Sequence, residues 1–201
     1  YDTEFDQFFF ESQMAKPGKE IVEKNLGKVF EKSDGALIFD GEKYGLHKRV
    51  FVTAAGNPTY EGKELANCIS ERQAFEFDKK VHVVANEQDG YFQVVFKAIE
   101  LIDPWFEGKQ YHLSMGMVNL IGRKISSRTG IIITVDALLD EVKELLRPLM
   151  NEANEEVLEK VTIGAVKYSV LKTHPTANVL FDIKQSVALQ GNSGPYLQYT
   201  Y

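Results

Sequence analysis

Apolar residues recur three to four positions apart at Ile21, Val22, Leu26, Val29 and Phe30, which predicts a short amphipathic helix after the aromatic-dense stretch Phe5 to Phe10. The pattern then changes period. Ser33-Asp-Gly35 marks a turn before the apolar run Ala36 to Asp40, and a glycine-containing polar connection leads to Arg49 to Thr53, the grammar of a small antiparallel hairpin. From Asn57 onward helical spacing returns, with Leu65, Ala66, Cys68, Ile69 and Phe75 on one flank and Pro58 near its start. Val81 to Ala85 is a short apolar run expected to form a strand buried on both faces. Asn86 to Gly90 reads as a polar turn, and Phe92, Val95, Phe96, Ile99 and Ile102 predict a helix that Asp103-Pro104 ends. Tyr111 to Met115 is the next strand. Strand, turn, helix, strand is the βαβ unit of a parallel sheet.

Gly122 to Gly130 follows as a polar loop, and Ile131 to Val135 reads as a further strand with Asp136 as the N-cap of a helix. Leu138, Leu139, Val142, Leu145 and Leu146 share that helix's apolar face, and Pro148 is expected to bend or end it. A second helix carries Val157, Val161, Gly164, Ala165 and Tyr168, Val179 to Phe181 is extended, and Gly191 to Tyr196 opens a last element. The expected organisation is a helix and hairpin insertion over 1–56, a parallel-sheet α/β segment over 57–150, and a helical segment over 151–201.

Composition narrows the function classes. The chain has 201 residues, 44% hydrophobic and 26% charged, which is ordinary for a globular protein. A formal net charge of −6 argues against a surface made wholly for nucleic acid and confines any RNA contact to a local patch. Cys68 is the only cysteine, so there is no internal disulfide and no cysteine-based zinc cluster, in keeping with a cytoplasmic protein. No apolar run approaches the roughly 20 residues of a membrane-spanning helix. The chain begins at Tyr1, inside a structured pattern, and reads as a segment of a longer protein.

Candidate chemistry lies in two places. The loop Gly122 to Gly130 holds Arg123, Lys124 and Arg128 beside Ser126, Ser127 and two glycines, and mobile cations with free backbone N–H groups suit a polyphosphate. Tyr60 and Glu64 stand four apart on the helix after Asn57 and therefore share a face, while Gln88 follows the strand ending at Ala85, where open parallel sheets bind ligands.

Tyr111-His-Leu-Ser-Met-Gly-Met-Val-Asn119 followed by Lys124-Ile-Ser-Ser-Arg-Thr-Gly130 resembles the signature loop of class I aminoacyl-tRNA synthetases, specifically the arginyl-tRNA synthetase family. Asn57 to Ala66, Val81 to Tyr91, Ile163 to Ser169 and Gly191 to Tyr199 resemble further segments of that family in the same order. The resemblance implies an α/β fold, the second half of a Rossmann-like parallel-sheet catalytic domain with a small antiparallel hairpin insertion and a following helical segment. It implies an ATP-dependent ligase with arginine, ATP and tRNA(Arg) as partners and Mg²⁺ accompanying the ATP. Tyr60, Glu64 and Gln88 match positions that hold the arginine side chain, Met117, Val118 and Lys124 match ATP-binding positions, and Lys124, Ser126, Ser127 and Arg128 match the catalytic loop.

Two departures matter. Ile125 and Ser127 replace the Met and second Lys of the usual Lys-Met-Ser-Lys-Ser pattern, and many relatives carry Asp where this chain has Glu64. The other family signature, His-x-Gly-His, is absent: His47, His82, His112 and His174 do not form it. It is expected before Tyr1, and an anticodon-binding helical domain is expected to begin near Gly194. The alternative is a non-catalytic nucleotide- or tRNA-binding module derived from such an enzyme. A cysteinyl enzyme is disfavoured because its zinc ligands are missing.

Overall fold

The structure is a computed structural model and describes residues 3–122, 134–150 and 154–201. The chain divides into two compact units, residues 2–114 and 115–201.

The first unit opens with helix α1 (Glu11–Lys24), which buries Met14, Gly18 and Val22 and ends before Leu26, Val29 and Phe30, which the spacing places on the same helix and which lie in the turns after it. Strands β1 (Glu31–Ser33), β2 (Ala36–Phe39) and β3 (Arg49–Val52) form an antiparallel sheet in that order. The hairpin predicted from two runs thus has a third strand. Its β1–β2 turn is made by Asp34 and Gly35, both at positive φ, as the tight turns of twisted hairpins require. Helix α2 (Tyr60–Ala74) follows, with Leu65, Ala66 and Cys68 buried. Phe75 does not join that flank: it is the first residue past the helix, in extended conformation, and 48% exposed.

The helices α1 and α2 meet through backbone. A Cβ on Gly18 would overlap the Gly62 carbonyl, and a Cβ on Gly62 would overlap the Phe51 carbonyl, so neither position admits a side chain. Strand β4 (Lys80–Ala85), helix α3 (Asp89–Ile102) and strand β5 (Gln110–Met115) complete the unit. His82 bonds Gln110 and His112 bonds the Val84 carbonyl, so the contacts advance along both strands together and the pair is parallel.

Two expectations are corrected here. Only one face of β4 is covered: His82 is buried against Phe92 and Phe96, while Val81 and Val83 stay half exposed. The stretch Asn86 to Gly90 is helical rather than a turn, a single 3-10 turn at Asn86–Gln88 running directly into α3. The core combines Val22, Phe30, Phe39, Phe51, Leu65, Val94, Val95, Ile99 and Phe106, drawn from all layers of the unit.

In the second unit, β6 (Val118–Leu120) pairs in parallel with β7 (Val179–Phe181), Val118 opposite Val179. Helix α4 (Val135–Leu146) starts one residue before the expected cap. Thr134 is the N-cap, its hydroxyl accepting from the Ala137 N–H, so Val135 is helical and Asp136 lies in the first turn. The rest of the strand expected at Ile131 to Val135 lies outside the described residues, apart from Thr134. Pro148 lies in a short 3-10 turn, Arg147–Leu149, that ends the helix.

Helix α5 (Glu155–Leu171) is capped by Asn154, and it buries Leu158, Thr162, Ala165, Val166 and Ser169. Val157, in its first turn, is 42% exposed. Short helix α6 (Ile183–Ser186) and helix α7 (Gly194–Thr200) follow. Ser193 caps α7 and Pro195 occupies its first turn, as its fixed φ favours. Gly194 abuts the Gly164 carbonyl so closely that a Cβ there would overlap it. Leu120, Val142, Leu146, Leu158, Val166 and Phe181 form this unit's core.

Candidate functional site

Within the first unit, α1, α2 and α3 enclose a cleft of about 220 Å³. Its lining includes Phe9, Met14, Tyr60, Glu64, Asn67 and Tyr91. The i, i+4 spacing of Tyr60 and Glu64 does what the helix dictates: both side chains reach this one cleft. Tyr60 is 68% exposed, with Lys63 Nζ 5.3 Å from its ring centroid. Lys63 is also held at the rim by Glu11, 2.6 Å away.

Glu64 lies deeper. Its side chain retains 18% exposure, and Asn67 Nδ2 is 3.4 Å from Oε1. Burial pushes its carboxyl up from the ordinary range, and Lys80 opposes that shift. Tyr91 closes the cleft from α3 and donates its hydroxyl to the Tyr60 carbonyl at 3.3 Å. Burial raises the Tyr91 phenol as well, so it stays a neutral donor and an apolar wall. The arrangement is a partly desolvated carboxylate beside two aromatic rings, which suits a planar cation able to bond a carboxylate through a fork of N–H groups.

Gln88 stands apart from this group. It is exposed at the end of the 3-10 turn before α3 and does not line the cleft. Sequence reasoning missed Tyr91, Asn67, Phe9 and Met14. Asn67 lies three residues beyond Glu64 on α2, a neighbour by helical spacing, and Met14 lies four before buried Gly18, so period alone signalled both. Tyr91 and Phe9 arrive by tertiary packing, and only their aromatic character marked them.

Behind Glu64 lies a charged layer. Lys80, at the start of β4, bonds the Glu71 carboxylate and stands 3.7 Å from Glu64 Oε1. His82 Nδ1 is 3.8 Å from the same oxygen, and His82 Nε2 is 2.6 Å from Gln110 Oε1, which requires the ring to donate from Nε2. Burial drives the His82 pKa down to about 4, aided by nearby Lys80, so the ring is neutral near pH 7. Cys68 is buried, its thiol pushed up by desolvation and inert as a nucleophile.

In the second unit Met117 and Val118 are both partly exposed at the start of β6. The Met117 N–H donates to Asn178 Oδ1 at 2.8 Å, and its carbonyl accepts from the Val179 N–H at 2.9 Å. Gly116 is forced here by the Ala177 carbonyl, which a Cβ would overlap. Lys124, Ser126, Ser127 and Arg128 lie outside the described residues. Among the described residues no group of three or more His, Cys, Asp or Glu is placed to hold a metal ion, and no helix is long and apolar enough to cross a membrane.

Each unit joins its parallel strand pair through helices, and the first adds a small antiparallel sheet and a cleft that combines a carboxylate with aromatic walls, so the architecture is of the α/β class. Residues 3–183 match the family described as tRNA synthetases class I (R), catalytic domain, and the chain belongs to that family. It is 32% identical over 205 residues to the arginine–tRNA ligase of Treponema denticola, a match covering 97% of this chain and 35% of the relative. With the arginine–tRNA ligase of Amoebophilus asiaticus it shares 34% over 209 residues, 98% of this chain and 35% of the relative.

Among solved structures, the arginyl-tRNA synthetase of Thermus thermophilus superposes with a TM-score of 0.73 at 24% identity, over 92% of this chain and 38% of that one. The arginyl-tRNA synthetase of Plasmodium falciparum gives 0.78 at 18% identity, over 98% and 35%. These likenesses establish the fold, the expected α/β architecture. The chain spans about a third of the length of the relatives it matches.

Proposed function

We propose that this chain supplies the arginine cleft and part of the ATP site of an arginyl-tRNA synthetase, whose whole protein makes arginyl-adenylate from arginine and ATP and passes the arginyl group to tRNA(Arg) in the cytoplasm. The observation that carries the reading is the Glu64 carboxylate, largely removed from water, in one cleft with Tyr60 and Tyr91. A guanidinium brings a planar fork of donors to such an acid, and the rings flank its faces. Lysine presents a point charge and leaves part of that geometry unused, so it is rejected. Gln88, which does not line the cleft, is assigned an amide contact only to the part of the arginine that projects from it.

On the nucleotide side, Lys124, with backbone N–H groups of Ser126 and Ser127, stabilises charge on the departing pyrophosphate, and Arg128 supports it. The arginine carboxylate attacks the α-phosphate in line, so positioning and charge stabilisation carry the rate without a covalent enzyme intermediate. Because both backbone groups of Met117 are already paired, Val118 and the exposed Met117 side chain are left to meet the adenine. Magnesium enters with ATP, held chiefly by phosphates.

The test is Lys124→Ala in the full-length protein. Its aminoacylation rate should fall by about a hundredfold or more with arginine affinity nearly unchanged, because the charge serves the transition state. Equal losses in rate and affinity would contradict the assignment.

A further inference from the structure

The layer behind Glu64 carries an unbalanced charge. Glu64, Cys68 and Glu71 lie on one side of α2 at intervals of four and three, facing Lys80 and His82 of β4. Lys80 Nζ reaches all three: it bonds Glu71, stands 3.7 Å from Glu64 and lies 4.0 Å from Cys68 Sγ. Cys68 and, from α3, Tyr91 stay neutral, and His82, with a pKa of about 4, is neutral above pH 5. Around this layer Arg49 of β3 pairs with Glu61, Lys63 with Glu11 of α1, and Asp89 of α3 with His112 of β5. Lys79, which shares a surface cleft with Glu71 and Lys80, reaches the Gly108 carbonyl and the Tyr111 ring. With both carboxylates ionised, one ammonium would leave one negative charge, which either a proton on Glu64 or an arriving cation offsets, and the carboxylate that lines the cleft is Glu64.

We propose that Lys80 is a positioning residue for arginine selection: shared between Glu71 and Glu64, it leaves the layer one positive charge short, so the arriving guanidinium completes the balance and its binding is coupled to loss of a proton from Glu64. This rests on the assignment of the cleft to arginine. The opposing influences on Glu64 agree with the geometry. Burial and Glu71 favour its protonated form and Lys80 its ionised form, so the empty cleft holds the proton to higher pH than the filled one. The guanidinium keeps its charge throughout, so the coupling falls on Glu64.

The experiment is calorimetric titration of the full-length protein with arginine from pH 5 to 7.5, in two buffers of different ionisation heat so that released protons are counted. In the unmodified protein affinity should rise with pH, towards tenfold per unit below the Glu64 titration, with proton release on binding. Glu64→Gln should bind weakly with that component of the profile gone. Lys80→Met should move the rise to higher pH and weaken binding on the rising limb by about tenfold or more, whereas Lys80→Arg keeps the original profile.

Glu71→Gln frees Lys80 for Glu64 and should move the rise to lower pH. These opposite shifts separate the proposal from simple loosening of the fold, and Glu71→Gln decides alone if Lys80→Met does not fold. If Glu64→Gln weakens binding but the other variants keep the original midpoint, or move it in one common direction, the role of Lys80 is refuted while the arginine cleft stands. If Glu64→Gln binds arginine as tightly as the unmodified protein, the cleft assignment fails and this inference falls with it.

Discussion

The unit of residues 2–114 buries Phe30, Phe39, Phe51 and Phe106 to 1% exposure or less in one core, whereas the unit of residues 115–201 has Phe181 as its single buried aromatic among the described residues. Their charges differ in the same sense. In the first, Glu64, Glu71 and Lys80 are mostly withdrawn from water. In the second, Lys143 of α4 and Arg147 of the 3-10 turn that follows it meet Glu155 and Glu159 of α5 at the surface. A large aromatic core gives the first unit the rigidity to hold ionisable groups against their hydration, and there a charge interacts more strongly with its partners than in water. Solvated pairs in the second unit fix a surface and little else. Both units bring a helix pair together through glycine, Gly18 with Gly62 and Gly164 with Gly194, so the contrast lies in what surrounds those contacts.

The largest effect should come from the aromatic core. Phe51→Ala removes a ring packed 4.9 Å from that of Phe30 and should destabilise the first unit by about 3–5 kcal/mol in denaturant titration. A loss below about 1 kcal/mol would mean that this core is not its main support.

Next in size is the acid limb. The folded pKa of His82, about 4, lies below the ordinary 6.5, so its contribution is complete above pH 6.5 and is lost as pH falls towards 4. The loss amounts to about 2–3 kcal/mol, and His82→Leu should flatten stability over that window. A slope that survives the substitution would assign the acid sensitivity to other groups.

Gly194→Ala should cost about 1–3 kcal/mol through its overlap with the Gly164 carbonyl, read as a lower thermal midpoint. Smallest of all, Arg147→Ala should leave stability unchanged within measurement, since its pairs with Glu144 and Glu155 are solvent-exposed. A clear drop there would erase the distinction between the units.

Much of this was legible in the sequence because local rules and tertiary packing agree. Period identified the long helices α2 to α5, the shared face of Tyr60 and Glu64, and the β4–α3–β5 unit. Where they disagree the sequence misled. The apolar run Val81 to Ala85 suggests two covered faces, yet helix α3 covers only the face that carries His82. Thr134 and Asp136 are both good caps, and only the backbone path decided for Thr134. Lys80 reads as the polar flank of a strand. Its reach to two carboxylates on α2 follows from how β4 lies beside that helix, which no local pattern encodes.

The most direct measurement of the central claim is the affinity of the full-length protein for arginine and for citrulline, its neutral isostere, with and without Glu64→Gln. A charge-assisted bond contributes about 1.5–3 kcal/mol, so the substitution should weaken arginine roughly ten- to a hundredfold and leave ATP affinity unchanged. The arginine-to-citrulline ratio should collapse by a similar factor. An unchanged arginine affinity and an unchanged ratio would place the guanidinium elsewhere and contradict the account.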